Sequence, residues 1–294
     1  MQSKNTNLSN GVTQSIFTNT MADMKWTDIK RYAEENAIVL LPMGVIEEHG
    51  PHNCLATDVY TAHIYCLAVK NELNAKGYSA VIAPPFYWGI CQAARGFTGS
   101  FNIRPETAKA LLFDILSSLK DFGFNQVFGV NAHGDIEHQM TAVNAFKEAY
   151  EQLGIIACFP HQDFMLHHFK MNSSEPYFYT IPPQEIKVSQ ATVLDVHGGD
   201  METATINSFY PHLVDTEIAK SLPDVSLDDK WEAWMFGGQL KQISPQGYIG
   251  SPASYDSCDI EKNVEDNAQR ISNAIITRIL QKHKEIPIMQ KEDK

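Results

Sequence analysis

The sequence predicts an α/β protein, a three-layer α/β/α arrangement around a mostly parallel central sheet. Short continuous apolar runs recur along the chain, as in strands buried on both faces. Segments with helical spacing alternate with those runs, and the connections are short, which is the rhythm of a parallel sheet covered on both sides.

Residues 36–43 (NAIVLLPM) hold the first buried strand, and 57–73 read as a helix with Gly77 close behind it. Residues 79–84 (SAVIAP) give a second strand. The clearest helix covers 105–123, where Ala108, Leu111, Leu112, Ile115, Leu116, Leu119 and Phe122 recur at helical spacing between a proline start and a glycine stop. Residues 125–130 (NQVFGV) are a third strand, 137–153 a helix ended by Gly154, and 154–159 (GIIACF) a fourth strand. The rhythm then breaks. Residues 161–187 are long, irregular and rich in aromatics and histidine, which suits a lid or an oligomer contact. Within them His161, His167, His168, Phe169, Tyr177, Phe178 and Tyr179 could line a pocket, with Trp88, Trp231 and Trp234 as further candidates. A short helix over 200–209, an acidic loop over 215–230 and an amphipathic terminal helix over 259–284 complete the chain. The expected organisation is an arm over 1–24 and one domain over 25–294.

Bulk properties narrow the function. The 294 residues are 44% hydrophobic, enough for a large core, and the formal net charge is −12. Such acidity disfavours phosphate backbones and anionic membranes, so neither nucleic acid nor membrane is an expected partner. Five scattered cysteines without a CxxC pair suit a reducing compartment. The polar N-terminus has no apolar signal core, and no apolar run reaches spanning length, so a cytoplasmic protein is expected.

Ligands of open parallel sheets bind beyond the carboxyl ends of the strands. Three polar clusters fall there. Glu47, His49, His52 and Asp58 follow the first strand. His133, Asp135, Glu137 and His138 follow the third. Asp195 and His197 precede the short helix, and Asp200 and Glu202 open it. Each alone has an ordinary reading. Glu47 suits a solvated surface, Asp58 and Glu202 suit helix first turns, and His133 suits a satisfied core position. Together they place histidine, carboxylate and glycine three times on one rim, the donor set of a hydrolytic metal centre.

Four stretches resemble the creatininase (creatinine amidohydrolase-like) family: LPMGVIEEHGPHNCLATD at 41–58, FTGSFNIRPET at 97–107, NAHGD at 131–135 and HGGDMETA at 197–204. The resemblance implies a three-layer α/β fold, a homo-oligomer (commonly a hexamer) and one or two divalent ions, zinc, manganese or iron. By position it implies metal ligation by Glu47, His49, Asp58, His133, Asp135 and Glu202, with Asp58 bridging. It implies catalytic work by His197 and Glu202, hydrolysing a C–N bond in a small polar cyclic amide. Some relatives cleave a C–C bond in keto-sugars or keto-inositols, which stands as the alternative, and a non-catalytic binding relative is a third reading. The chain departs from the family at 93–100 (AARGFTGS), where no histidine precedes the motif and Arg95 is near. Gly134 stands where creatininase has a tyrosine beside its substrate. Arg95, Gly134 and Asp195 are the expected substrate contacts, although an ordinary surface ion pair also explains Arg95 and is the simpler reading.

Overall fold

In the computed structural model, residues 15–161, 172, 174–228 and 240–285 are described. Among them five strands form one parallel sheet in the order β2-β1-β3-β4-β5. The strands are β1 (Ile38–Met43), β2 (Ala80–Ile82), β3 (Gln126–Asn131), β4 (Ile156–His161) and β5 (Phe178–Thr180). The helices are α1 (Trp26–Glu34), α2 (Thr57–Ala75), α3 (Pro105–Asp121), α4 (Ile136–Leu153), α5 (Asp200–Phe209), α6 (Thr216–Ser221), α7 (Leu240–Ile243) and α8 (Ile260–Glu285).

The continuous apolar runs are explained by burial on both sides. Val39, Leu41, Val127, Ala157 and Phe159 pack on α3 and α4 through Leu112, Leu116, Ala145 and Phe146. The alternate residues Ile38, Leu40, Phe128, Val130 and Cys158 pack on α2 and α8 through Cys66, Val69, Ile271 and Ile275. Each strand therefore supplies apolar side chains to two cores at period two. Pro42 is tolerated in the central β1 because its carbonyl pairs with Phe86 N–H beyond the end of β2, on a side where no strand needs its missing donor.

Two expectations change. The segment over 161–187 is not wholly a lid. Phe178–Thr180 form the edge strand β5, with Tyr179 buried and its hydroxyl donating to the Gly129 carbonyl at 2.6 Å. Tyr177 and Phe178 are core residues as well. His167, His168, Phe169, Trp231 and Trp234 lie outside the described residues. The acidic loop over 215–230 contains α6, whose Asp215 side chain caps it by accepting from Ile218 N–H at 3.0 Å. Part of the arm is packed: Met21 is buried in the core, and the Thr18 carbonyl accepts from His63 Nε2 at 2.8 Å. No helix among the described residues is long and apolar enough to cross a membrane.

The strand order reverses between β1 and β3. Chain connections leave those two strands in opposite directions and open a crevice at their carboxyl ends, where open α/β sheets bind ligands.

Candidate metal centre

The loop after β1 carries Glu47 and His49 into that crevice, and the first turn of α2 brings Asp58 back beside them. Gly44 allows this return, because a Cβ there would stand 2.7 Å from the backbone of Asp58 and Val59. His133 arrives from the end of β3. His197 and Glu202 arrive from the loop before α5 and from its first turn. That loop crosses the His49 carbonyl closely: Gly198 has φ +59, and a Cβ on it would lie 2.9 Å from that oxygen.

Among the described residues three overlapping ligand groups form here: Glu47, Asp58 and His133; His49, Asp58 and Glu202; Glu47, His49 and His197. Asp58 belongs to two of them through different oxygens. Its Oδ1 lies 3.1 Å from His49 Nε2 and its Oδ2 lies 2.9 Å from His133 Nδ1. Glu47 Oε1 lies 3.1 Å from His133 Nδ1 and 3.7 Å from His197 Nδ1, and Glu202 Oε2 lies 3.7 Å from His49 Nε2.

Each imidazole has one nitrogen on a backbone carbonyl. His133 Nε2 meets the Ile90 carbonyl at 2.9 Å, His49 Nδ1 meets that of Glu47 at 3.1 Å, and His197 Nε2 meets that of Glu48 at 2.7 Å. A carbonyl only accepts, so those nitrogens carry the protons. In a neutral ring the other nitrogen is then an acceptor. On His49 and His133 that acceptor faces carboxylate oxygens, which are acceptors too. Such a convergence needs a cation between the atoms, a proton or a metal. Asp58 Oδ2 is buried and has no donor at hydrogen-bonding geometry, although His133 Nδ1 is close. The donor set therefore fits a divalent ion, and the carbonyl contacts are the usual way of fixing a ligating histidine.

The electrostatics agree. Burial disfavours a charged His133, yet Glu47 and Asp58 outweigh it and hold its pKa well above 6.5; Asp58 and Glu202 do the same for His49. Burial would raise Glu47, but His133 and His197 bring it down to about 2, and Asp58 is depressed against burial by His49 and His133. Without a metal, protons bound by the rings satisfy the carboxylates.

Other expected residues lie elsewhere or do something else. Asp135 is in none of the ligand groups. Its Oδ1 caps α4 by accepting from His138 N–H at 3.0 Å, and its Oδ2 accepts from Gln92 N–H at 2.7 Å. Asp195 accepts from Gly199, Met201 and Glu202 N–H at 2.7–3.2 Å, and so holds the start of α5 beneath Glu202. Burial, with Glu202 and Asp200 nearby, pushes Asp195 up to about 8 against those backbone donors. Gly134 is exposed with open space around it, and Arg95 is exposed. His52 is in none of the ligand groups, and its Nε2 bonds the Thr203 hydroxyl at 2.8 Å.

A cavity of about 740 Å³ opens beside Glu202, lined in part by Ala132, Thr61, Tyr65, Asp195, Asn263 and Asn267. Glu202 is 24% exposed, whereas His49, Asp58, Glu47 and His133 are 0–4% exposed, so solvent reaches the cluster at Glu202. Two participants escaped the sequence. Glu48 is buried with Oε1 at 3.4 Å from His197 Nε2, and the Cys91 thiol donates to Glu47 Oε2 at 2.7 Å. Burial and the Glu47 charge push that thiol up, so it remains protonated. No local pattern marks Cys91, because it is 44 residues from its partner.

A parallel α/β sheet here carries a buried histidine–carboxylate cluster at its switch point, a donor set that suits a hydrolytic metal centre. The profile of the creatininase family, described as creatinine amidohydrolase, matches residues 22–275. The chain belongs to the creatininase family, whose members are hydrolases. It is 24% identical over 243 residues to a mycofactocin precursor peptide peptidase of Mycobacterium ulcerans (strain Agy99), covering 80% of this chain and 84% of that protein. It is 22% identical over 212 residues to the creatinine amidohydrolase of Pseudomonas putida, covering 70% of this chain and 76% of that protein. Among solved structures, a mutant creatininase complexed with creatine superposes with a TM-score of 0.64 at 18% identity, over 88% of this chain and 98% of that one. A creatininase designated Mn superposes at 0.59 with 19% identity, over 92% and 99%.

Proposed function

We propose that this chain is a metal-dependent amidohydrolase that breaks a C–N bond with water. The observation that carries the reading is the convergence of acceptors on His49, Asp58 and His133, which only a cation reconciles. Glu47, Asp58 and His133 would hold one divalent ion; His49, Asp58 and Glu202 would hold a second. When bound, such an ion lowers the pKa of water toward neutrality and polarises a carbonyl.

The chain's own groups do the rest. The 2.9 Å Ile90 contact keeps the His133 proton on Nε2 and leaves Nδ1 for the ion. His197 presents Nδ1 toward the cluster, with Nε2 tied to the Glu48 carbonyl, and can move a proton at Nδ1 to the leaving nitrogen. Asp195 fixes α5 and hence Glu202 at the cavity mouth. The cavity wall offers a polar surface for an amide substrate in Tyr65, Gln184, Asn263 and Asn267, which are tied together by Asn263 Nδ2 to the Tyr65 hydroxyl at 3.1 Å and by Gln184 Nε2 to Asn263 Oδ1 at 3.0 Å.

A small cyclic amide is the first substrate class. A peptide is the second, favoured by a cavity of about 740 Å³, a volume that suits ligands larger than one small ring. Arg95, one of the expected substrate contacts, is exposed and does not line that cavity. Zinc, manganese and iron all suit the donor set. A homo-oligomer is supported by exposed aromatics: Trp88 and Phe101, 38% and 48% exposed, stack edge-on at 5.4 Å. A hexamer and a cytoplasmic site remain expectations from the resemblance and the cysteine usage.

The test is metal-dependent turnover of cyclic amides, short peptides and keto-cyclitols by metal-loaded protein, with Asp58→Asn as control. Hydrolysis of an amide or peptide, abolished in the control, supports the proposal. Turnover of a keto-cyclitol alone would replace C–N with C–C cleavage.

A further inference from the structure

The strap over residues 89–92 joins the two strand-end loops that build the cluster. Ile103 N–H donates to the Gly89 carbonyl at 3.0 Å, and Cys91 N–H donates to Asn102 Oδ1 at 2.8 Å. Gln92 N–H is held by Asp135 Oδ2 at 2.7 Å, and Ile90 N–H reaches His138 Nδ1 at 3.3 Å. A backbone pinned at four successive residues does not drift. It presents two groups to the cluster, the Ile90 carbonyl to His133 Nε2 and the Cys91 thiol to Glu47 Oε2.

Those two contacts act on the same pair. Glu47 Oε1 and His133 Nδ1 stand 3.1 Å apart, and each is set by a strap contact on its other side. A carboxylate with one oxygen tethered turns the other in a fixed direction. The surroundings explain why the donor is sulfur. Cys91 packs with Val45, Ala94, Leu240 and Ile249, where a thiol behaves as a small apolar group and still has a proton to give.

We propose that Cys91 is a positioning residue of the metal centre: its thiol holds Glu47 Oε2, which aims Oε1 at the ion shared with His133 and Asp58. This rests on the metal-centre reading. Hydrogen-bonded partners of metal ligands commonly change affinity by about 10–100-fold when removed.

The experiment compares wild type, Cys91→Ala and Cys91→Ser. Affinity for zinc and for manganese is measured by competition with a chromogenic chelator, and thermal melts of each metal-free protein are recorded in parallel. Packing and positioning predict opposite orders. Alanine suits the apolar surroundings but cannot donate; serine disturbs them but can. We expect metal affinity to fall about 10–100-fold in Cys91→Ala and to stay within a few-fold of wild type in Cys91→Ser, while the metal-free serine variant melts no higher than the alanine one. Unchanged affinity in Cys91→Ala overturns the proposal, as does an equal loss in both variants that follows their melting temperatures. A thiolate-to-cobalt charge-transfer band in cobalt-loaded wild type, absent from Cys91→Ser, would make Cys91 a ligand and also overturn it. Failure of wild type itself to bind metal would instead remove the metal-centre reading, so the two failures are distinct.

Discussion

Two regions of this molecule contain the same kinds of residue and do different work. At the end of β1, Glu47, His49 and Asp58 meet His133 with acceptor facing acceptor. At the start of α4, Asp135 and His138 sit two to five residues further along from His133, yet both oxygens of Asp135 have backbone donors. His138 is buried and neutral, brought down to about 3 by burial and by the nearby His133. Residue type does not separate a metal cradle from a helix cap. The count of donors around each acceptor does.

The largest expected effect tests that difference directly. Asp58→Asn replaces one of the two oxygens that face His49 and His133 with a donor, and near-complete loss of bound metal by elemental analysis is expected, together with loss of turnover. His133→Ala is expected to weaken metal binding by more than the Cys91→Ala change does, because it removes a ligand rather than its support. The comparison breaks if either variant keeps its metal.

A pH series sharpens it. His49 and His133 are raised above 6.5 in the metal-free protein. Their contribution to stability is therefore full below pH 6.5 and is lost as pH rises through the raised folded values. Metal-free protein should lose thermal stability as pH climbs beyond that point. Metal affinity should rise over the same interval, because binding displaces those protons. An affinity independent of pH there would show that the rings are not the ligands.

The smallest expected effect lies in the other region. Asp135→Asn should retain full metal content and cost about 1 kcal/mol or less through its cap, read by denaturant melts. Loss of metal in that variant would return Asp135 to the ligand set and erase the contrast.

Much of this was visible in the sequence. The β1 run and the 105–123 periodicity named their elements because burial on two faces, and on one face, writes itself into the spacing of apolar residues. Glu47, His49, Asp58, His133 and Glu202 were legible as a set because strand ends point one way. What was hidden depends on contacts between distant segments. Strand β5 has three residues, too few for alternation to register. Helix α1 is only nine residues long and buries none of them fully, although Ile29, Tyr32 and Ala33 recur at helical spacing and pack on the core. The hold of Asp195 on the start of α5 was hidden, because its backbone donors, four to seven residues ahead, come within reach only once α5 folds.

The central claim is that the acceptors around Asp58 enclose a metal. The most direct measurement is metal content of tag-free protein by elemental mass spectrometry, on wild type, Asp58→Asn and Asp135→Asn side by side. Near-stoichiometric zinc, manganese or iron in wild type and Asp135→Asn, and its loss in Asp58→Asn, is the predicted result. Metal-free wild type after reconstitution, or equal metal in all three proteins, would contradict it.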